Sequence, residues 1–393
     1  MELGSITQFL EDKTILITGA TGFLAKLVVE KILRVQPNVA KLYLLVRAKD
    51  FESATQRLHN EITGKELFRL VKESVDMMLH WVEIESRFLI IGKGKKIAIL
   101  AAYVCGEREG VILEEPHELG VSLNGVAGLD IDREIKLVQE TLNQLQEKGA
   151  TQHDIQMAMK DLGIQRATAY GWPNTYVFTK AMGEMLLGSL KENIPVTSTY
   201  KEPFPRWIEG TRTVDSVVVT YGKGKLKCFI LDQTALLDMI PADMVVNVIL
   251  MGMVAHANQP TSGDDNNIIY DVGSSSFSNP FKYVNISDYA TRYFTAKPWI
   301  NRDGKPVKVA KLKILKNIAT FKRYMFFRYQ LPLKGQKLAN AMLCHSFKGM
   351  YLENKRKIQI AMRLVHLYKP YFFFNGVFDN MNTEKLCQRQ ERW

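Results

Sequence analysis

The stretch that most constrains this chain is "KTILITGATGFLAKLVVEKILRV", residues 13–35, with "KLYLLVRAKD" a few residues beyond it. Ile15 to Ile17 is a short apolar run that reads as a buried strand. Gly19, Gly22 and Ala25 follow at G-x-x-G-x-x-A spacing. They open a helix whose apolar residues Leu24, Leu27, Val28 and Ile32 recur with helical period. "KLYLLV" is then a second strand, with Arg47 at its end. Strand, glycine turn, helix and strand in this order make a βαβ unit.

Such a turn has a chemical use. Glycines at 19 and 22 let backbone N–H groups approach a pyrophosphate, and the helix N-terminus favours its charge. The expected cofactor contacts are Thr18, Gly19, Thr21, Gly22, Phe23 and Leu24. Arg47 falls where the tip of the second strand meets the adenine ribose. An acid there binds a free 2′-hydroxyl, whereas an arginine suits a 2′-phosphate, so the expected cofactor is NADPH. The bland alternative is a glycine turn that joins a strand to a helix and binds nothing.

A second stretch, "GWPNTYVFTKAMGEMLLG", places Lys180 four residues after Tyr176. A lysine ammonium one helical turn from a phenol favours the ionised phenol, which suits a proton donor working at neutral pH. Tyr221, Tyr293 and Tyr351 also have lysine at i+4, so the spacing alone does not choose among them. An exposed Tyr–Lys pair on a helix is the bland alternative.

Charge divides the chain. Of a net +11, residues 297–393 hold 21 Lys/Arg against 5 Asp/Glu, and residues 1–296 hold 31 against 36. A basic end on a near-neutral body fits an anionic partner: nucleic acid, a membrane face, or a phosphate-bearing substrate. Lys and Arg are interleaved with aromatics in "FKRYMFFRYQLPL" and "LYKPYFFFNGVFDN", but no nucleic-acid-binding pattern accompanies them, so nucleic acid is not an expected partner. Aromatic and cationic residues together suit a bilayer surface or an acyl-CoA, and a basic helical domain with an ordinary aromatic core accounts for them equally. The four cysteines are scattered without CxxC spacing, so neither a zinc site nor a disulfide framework is indicated. No signal peptide or membrane-spanning run is expected.

With "TGATGFLAK", "LYLLVRAKD", "AYVCGE", "GWPNTYVFTK", "EPFPRWIEGTRTVDSVVVTYGKGKLKC", "DMIPADMVVN", "YDVGSSSFSNP" and "RKIQIAMRLVHLYKPYFFFNGVFDNMNTEKL" in one chain, the sequence resembles the plant alcohol-forming fatty acyl-CoA reductases. The resemblance covers most of the chain. It implies a Rossmann-type parallel sheet with flanking helices over residues 1–296, and a smaller, basic, helical fatty-acyl-reductase domain over residues 297–393. It also implies reduction of a long-chain fatty acyl-CoA to a primary alcohol through an aldehyde, with two NADPH consumed. By the same resemblance Tyr176 is the proton donor, and Lys180 is its electrostatic partner and holds the nicotinamide ribose. Peripheral contact with the endoplasmic reticulum membrane from the cytoplasmic side belongs to that expectation. The alternatives are a catalytically impaired cofactor-binding remnant of the family, and a related reductase or epimerase acting on a sugar or phenylpropanoid.

The chain also departs from the family pattern. Leu100 and Ala101 stand just before "AYV", where the family carries a serine followed by a threonine, so a hydroxyl that would orient the substrate carbonyl is missing. Two sheet strands normally found before this point are absent. A helical pattern from Ser53 to Val82 fills part of the interval, and Phe88 to Ile91 is expected to form a strand beside the first one. The "IIRPTMI"-like strand of the family is also skipped, at "ENIPVTSTYKEPFP". Residues 111–170 read as an insertion containing two helices joined near Gly149. "DSVVVTYGKG" reads as a helix running into a turn, and "LDMIPADMVVNVILMGMVAHA" as a loop followed by a buried helix.

Overall fold

In the computed structural model of the chain, which describes residues 6–71, 79–83, 102–115, 117–187, 196–210, 213–256, 268–274, 276, 280–342 and 348–390, the βαβ unit is formed. A short α1 (Ile6–Leu10) leads into β1 (Thr14–Ile17), α2 (Phe23–Val35) and β2 (Lys41–Val46). Leu42, Leu44 and Val46 are buried while Tyr43 and Leu45, on the other face, are half-buried, the alternation a pleated strand imposes. β1 and β2 pair in parallel, Thr14 opposite Lys41 and Ile17 opposite Leu44.

The helical pattern expected from Ser53 to Val82 is corrected in part. α3 (Phe51–Leu58) opens on a capping box between Asp50 and Ser53, but it gives way to a π-turn over His59–Thr63 and a 3₁₀ turn over Glu66–Leu70. Leu79–Glu83 is then a strand, β3, parallel to β2 with Leu42 opposite Leu79 and Val46 opposite Glu83. The free edge of β2 explains the difference. Its backbone groups need partners, and a segment containing Trp81 and Val82 is well suited to supply them once tertiary pairing outweighs helical period. The expected strand at Phe88–Ile91 lies outside the described residues, as do Leu100 and Ala101.

Beyond a 3₁₀ turn at Ala102–Cys105 come β4 (Gly110–Ile112) and the two expected helices, α4 (Ile131–Glu147) and α5 (Gln152–Ala169). Gly149 joins them at φ +66°, a left-handed conformation that favours glycine. α6 (Thr175–Leu187) carries the Tyr–Lys pair. β5 (Val196–Thr197), α7 (Thr213–Gly222), β6 (Cys228–Ile230), β7 (Ile240–Pro241) and α8 (Ala242–His256) follow. The basic end contains α9 (Tyr283–Ala296), β8 (Lys313–Leu315), α10 (Ile318–Met325), α11 (Leu331–Met342), α12 (Lys348–Phe372), β9 (Gly376–Phe378) and α13 (Met381–Gln390). Every ladder between these strands is parallel: β1–β2–β3 in one sheet, and the pairs β4–β9, β5–β7 and β6–β8.

The main core lies between α2 and α8. α8 is apolar almost all round, as its sequence anticipates, and it buries Val245, Val246, Ile249 and Leu250 against Leu27, Ile32 and Leu33 of α2 and against the sheet. Phe374, Phe378 and Leu386, from the far end of the chain, complete this core. Glu114 fastens that end. Its carboxylate accepts the backbone N–H groups of Asp271 and Asn382, and burial pushes the carboxyl up against the opposing pull of these bonds. A second cluster gathers α4, α5 and α6 around Trp172, whose indole N–H donates to Val104 O at 2.8 Å.

Candidate active site

The glycine turn leaves β1 at its carboxyl end. Gly19 has φ +62°, and Gly22 N–H donates back to Gly19 O at 2.7 Å. A Cβ at Gly22 would stand 3.0 Å from that oxygen, tighter than ordinary contact. Both positions therefore need glycine for backbone reasons. α2 begins at the next residue with Gly22 as its N-cap, so the cap brings no side-chain acceptor to the first N–H groups of the helix. A glycine-bearing turn whose N-cap carries no side chain, at the N-terminus of a 13-residue helix, is a cradle that fits a pyrophosphate.

Around the turn, Thr18, Gly19 and Gly22 are exposed, and Thr21 and Leu24 are half-buried. Phe23 is turned inward and stacks on Trp207 with ring centroids 5.3 Å apart and planes within 4°. Its side chain is part of the core, so only its backbone is offered to a ligand. Arg47 is exposed directly after β2. Since β1 and β2 are parallel, the glycine turn and Arg47 share the carboxyl end of the sheet, the edge at which open α/β sheets bind dinucleotides. Arg57, which sequence reading passed over, donates to Arg47 O and pairs with Glu61 at 2.7 Å. The capping box at Asp50 starts α3 so that its last turn returns to the strand end; this was the available signal.

Residues 199–209 run along α2. Trp207 covers Phe23, Glu209 pairs with the buried Lys26, and Glu202 pairs with Lys31 and Arg34. Asp243, at the start of α8, secures the bend: its carboxylate accepts from the backbone N–H groups of Tyr200, Lys201 and Glu202 at 2.8, 2.8 and 3.1 Å. Burial pushes this carboxyl up, but the backbone donors outweigh it and hold the group below the usual aspartate range. A depressed folded-state value contributes stability that is complete above the unfolded value of about 3.9 and is lost as pH falls through the folded one. Asp243→Asn should therefore flatten the acid limb of the pH–stability curve and lower stability at neutral pH. Denaturant titrations from pH 7 down to pH 3 test this, and an unchanged acid limb would contradict it.

On α6, Tyr176 is 61% exposed and Lys180, one turn on, is half-buried. The inner face of the helix buries Val177, Phe178, Ala181 and Met185 in the second cluster. Asn174 caps it, its Oδ1 accepting from Val177 N–H at 3.1 Å and its Nδ2 donating to Tyr371 Oη at 3.2 Å. Burial pushes the Tyr371 phenol up. Thus α12, from the basic end, reaches Asn174, the cap of the helix that carries the candidate catalytic tyrosine, a contact that no local pattern could announce.

The other tyrosines sort by environment. Tyr221 is 4% exposed, and its hydroxyl meets Thr291 Oγ1 at 2.9 Å and donates to Ala310 O at 3.0 Å, so it serves the core. Tyr293 is exposed on α9 beside Phe294, and Tyr351 lies on α12. The structure brings the glycine turn and Arg47 together on the main core and sets Tyr176 and Lys180 on the second cluster. The two clusters meet at the 3₁₀ turn, where Val104 belongs to one and Cys105 to the other. Among the described residues no group of His, Cys, Asp and Glu could hold a metal ion.

A parallel sheet with a glycine cradle at its carboxyl end is the architecture of NAD-binding α/β proteins. The sequence matches the family described as male sterility protein over residues 17–92 and 93–249. It is 45% identical to the alcohol-forming fatty acyl-CoA reductase of Simmondsia chinensis, the alignment covering 98% of this chain and 91% of that one. It is 42% identical to fatty acyl-CoA reductase 1 of Arabidopsis thaliana over the same shares. The chain belongs to this family, in which the plant fatty acyl-CoA reductases fall. The terminal R domain from the myxalamid PKS-NRPS biosynthetic pathway is a structural neighbour, 14% identical, with a TM-score of 0.49 over 96% of this chain and 85% of that one. The alignment with the Simmondsia protein extends over 454 positions against the 393 residues present here, so the relative carries segments that this chain lacks.

Proposed function

We propose that this chain reduces a long-chain fatty acyl-CoA to a primary alcohol through an aldehyde, using NADPH. The observation that carries the reading is the exposed glycine cradle with Arg47 at the same sheet edge, in a chain 45% identical to a named acyl-CoA reductase. Bound NADPH supplies hydride. Backbone N–H groups between Gly19 and Leu24, apart from the Gly22 N–H already bonded to Gly19 O, hold the pyrophosphate, and Arg47 holds the 2′-phosphate. Tyr176 gives its phenolic proton to the substrate oxygen as that oxygen gains charge, and Lys180 steadies the resulting phenolate and the ribose hydroxyls. The first reduction releases coenzyme A from the thioester carbon and leaves an aldehyde; the second converts the aldehyde to the alcohol.

Within this reading, residues 1–296 form the cofactor side and residues 297–393 the basic side that meets the acyl-CoA and the membrane. No helix among the described residues is long and apolar enough to cross a membrane. We place a peripheral contact at the cytoplasmic face of the endoplasmic reticulum. Purified protein given NADPH and acyl-CoAs of graded length should consume the cofactor and yield alcohols identifiable by mass spectrometry. A second reading has its own support. Leu100 and Ala101 remove the expected hydroxyls, and the relatives carry segments missing here. A protein that binds NADPH but forms neither aldehyde nor alcohol would be a cofactor-binding remnant.

A further inference from the structure

The basic end carries a two-faced helical run. α10, a π-turn over Phe326–Gln330 and α11 are continuous from Ile318 to Met342. The π-turn has an identifiable cause: Pro332 has no N–H, and its ring would crowd the carbonyl four residues earlier, so the backbone widens just ahead of it. One side of the run is packed. Phe321 and Met325 are buried with Ile230 and Leu315, and Ile358 and Met362 of α12 close over them.

The other side is not covered by the described residues. Phe327, Leu331, Leu338 and Met342 are 65, 48, 63 and 77% exposed. Their spacing of four, seven and four residues places them in one stripe along the helical surface. Lys322, Arg323, Arg328, Lys334 and Lys337 are exposed beside the stripe, and Lys334 lies over the Phe326 ring at 5.4 Å. No Asp or Glu occurs anywhere between Ile318 and Met342.

We infer that this stripe is the surface on which the chain lies against an anionic lipid bilayer, with the run parallel to the membrane plane; the inference rests on the reading that the chain meets a membrane. An interfacial helix combines an apolar stripe sunk to the level of the first acyl carbons with cations at headgroup level. The occupant follows from charge. A second copy would oppose five cations to five, with no acid in either segment to offset them. A nucleic acid answers the cations but leaves the aliphatic stripe in water.

The experiment is flotation of the full chain with vesicles of phosphatidylcholine alone and of phosphatidylcholine with phosphatidylserine. The protein floats with the mixed vesicles, far less with the neutral ones, and less as salt rises. Leu338→Ala with Met342→Ala lowers the bound-to-free ratio by about tenfold or more, since two exposed apolar side chains are removed. Lys334→Gln with Lys337→Gln lowers it by about tenfold or more on mixed vesicles and leaves neutral ones unchanged. Alanine is the better helix former at both positions, so melting temperature holds. NADPH binding, assigned to residues 1–296, also holds in both variants, which separates this surface from the cofactor site of the reductase reading. Wild-type protein that floats with neither vesicle overturns the surface and the membrane reading together. Flotation unchanged in both variants overturns the surface alone. An alanine variant that shifts from dimer to monomer with undiminished flotation gives the stripe to a second copy. RNA retention lost in the glutamine variant, with flotation undiminished, gives the cations to nucleic acid.

Discussion

Tyr176→Phe is expected to lower the rate of alcohol formation by about a hundredfold to ten-thousandfold, the usual contribution of a positioned proton donor. The phenol is well exposed at the first turn of α6, and no packing depends on its hydroxyl. Stability and NADPH binding should therefore be unaffected, and the loss should appear in turnover. Tyr221→Phe is the control with the opposite signature. It removes two hydrogen bonds from a buried cluster and leaves Ala310 O without that donor, a cost of about 1–3 kcal/mol in stability with chemistry spared. In the wild-type background Leu100→Ser supplies the hydroxyl that the family resemblance expects at this position and should raise the rate by about tenfold or more. Adding Tyr176→Phe should erase that gain. Turnover undiminished by Tyr176→Phe would remove this residue from the mechanism. Inactivity of Leu100→Ser protein that still binds NADPH would assign the defect to the absent segments.

Arg47→Asp is expected to weaken NADPH binding by about tenfold to a hundredfold and to leave NADH nearly unaffected. A charge-assisted bond to the 2′-phosphate is replaced by repulsion, and an acid in its place can accept from the 2′-hydroxyl of NADH. The position is favourable for a clean result. Arg47 is exposed, and the nearby Arg57 is already engaged with Glu61 and with the Arg47 carbonyl. Titrations of both nucleotides by quenching of protein fluorescence give the two affinities. Equal loss for both would withdraw the 2′-phosphate assignment.

Local chemistry made part of this molecule legible. Gly19 and Gly22 sit in a turn that favours glycine at both positions, so a residue pattern translates directly into backbone geometry. Gly149 between α4 and α5, and the apolar run that becomes α8, are readable for the same reason: one local rule dominates each. What stayed hidden depends on distant partners. Leu79–Glu83 lies inside a helical pattern and becomes a strand because β2 offers it an edge. β4 and β9 are each three residues long and separated by most of the chain, too short for any period to register. Trp207 over Phe23 and Tyr371 against Asn174 are likewise contacts made by the fold. At the candidate site the residue types were visible in the sequence. Their division between two apolar clusters was not.

The closure of β9 and α13 onto the first core bears on how the chain is made. Domains commonly fold from the N-terminus as they leave the ribosome. Here β1, α2 and β2 emerge early, but Phe374, Phe378 and Leu386, which seal the same core, are synthesised near the end. Until then the growing polypeptide presents apolar surface and a sheet edge to solvent, the condition that invites chaperone binding or aggregation. A stop codon at position 376, which removes residues 376–393, would spare every candidate catalytic side chain. It would still act as a loss-of-folding mutation, read out as low abundance of the product instead of altered kinetics.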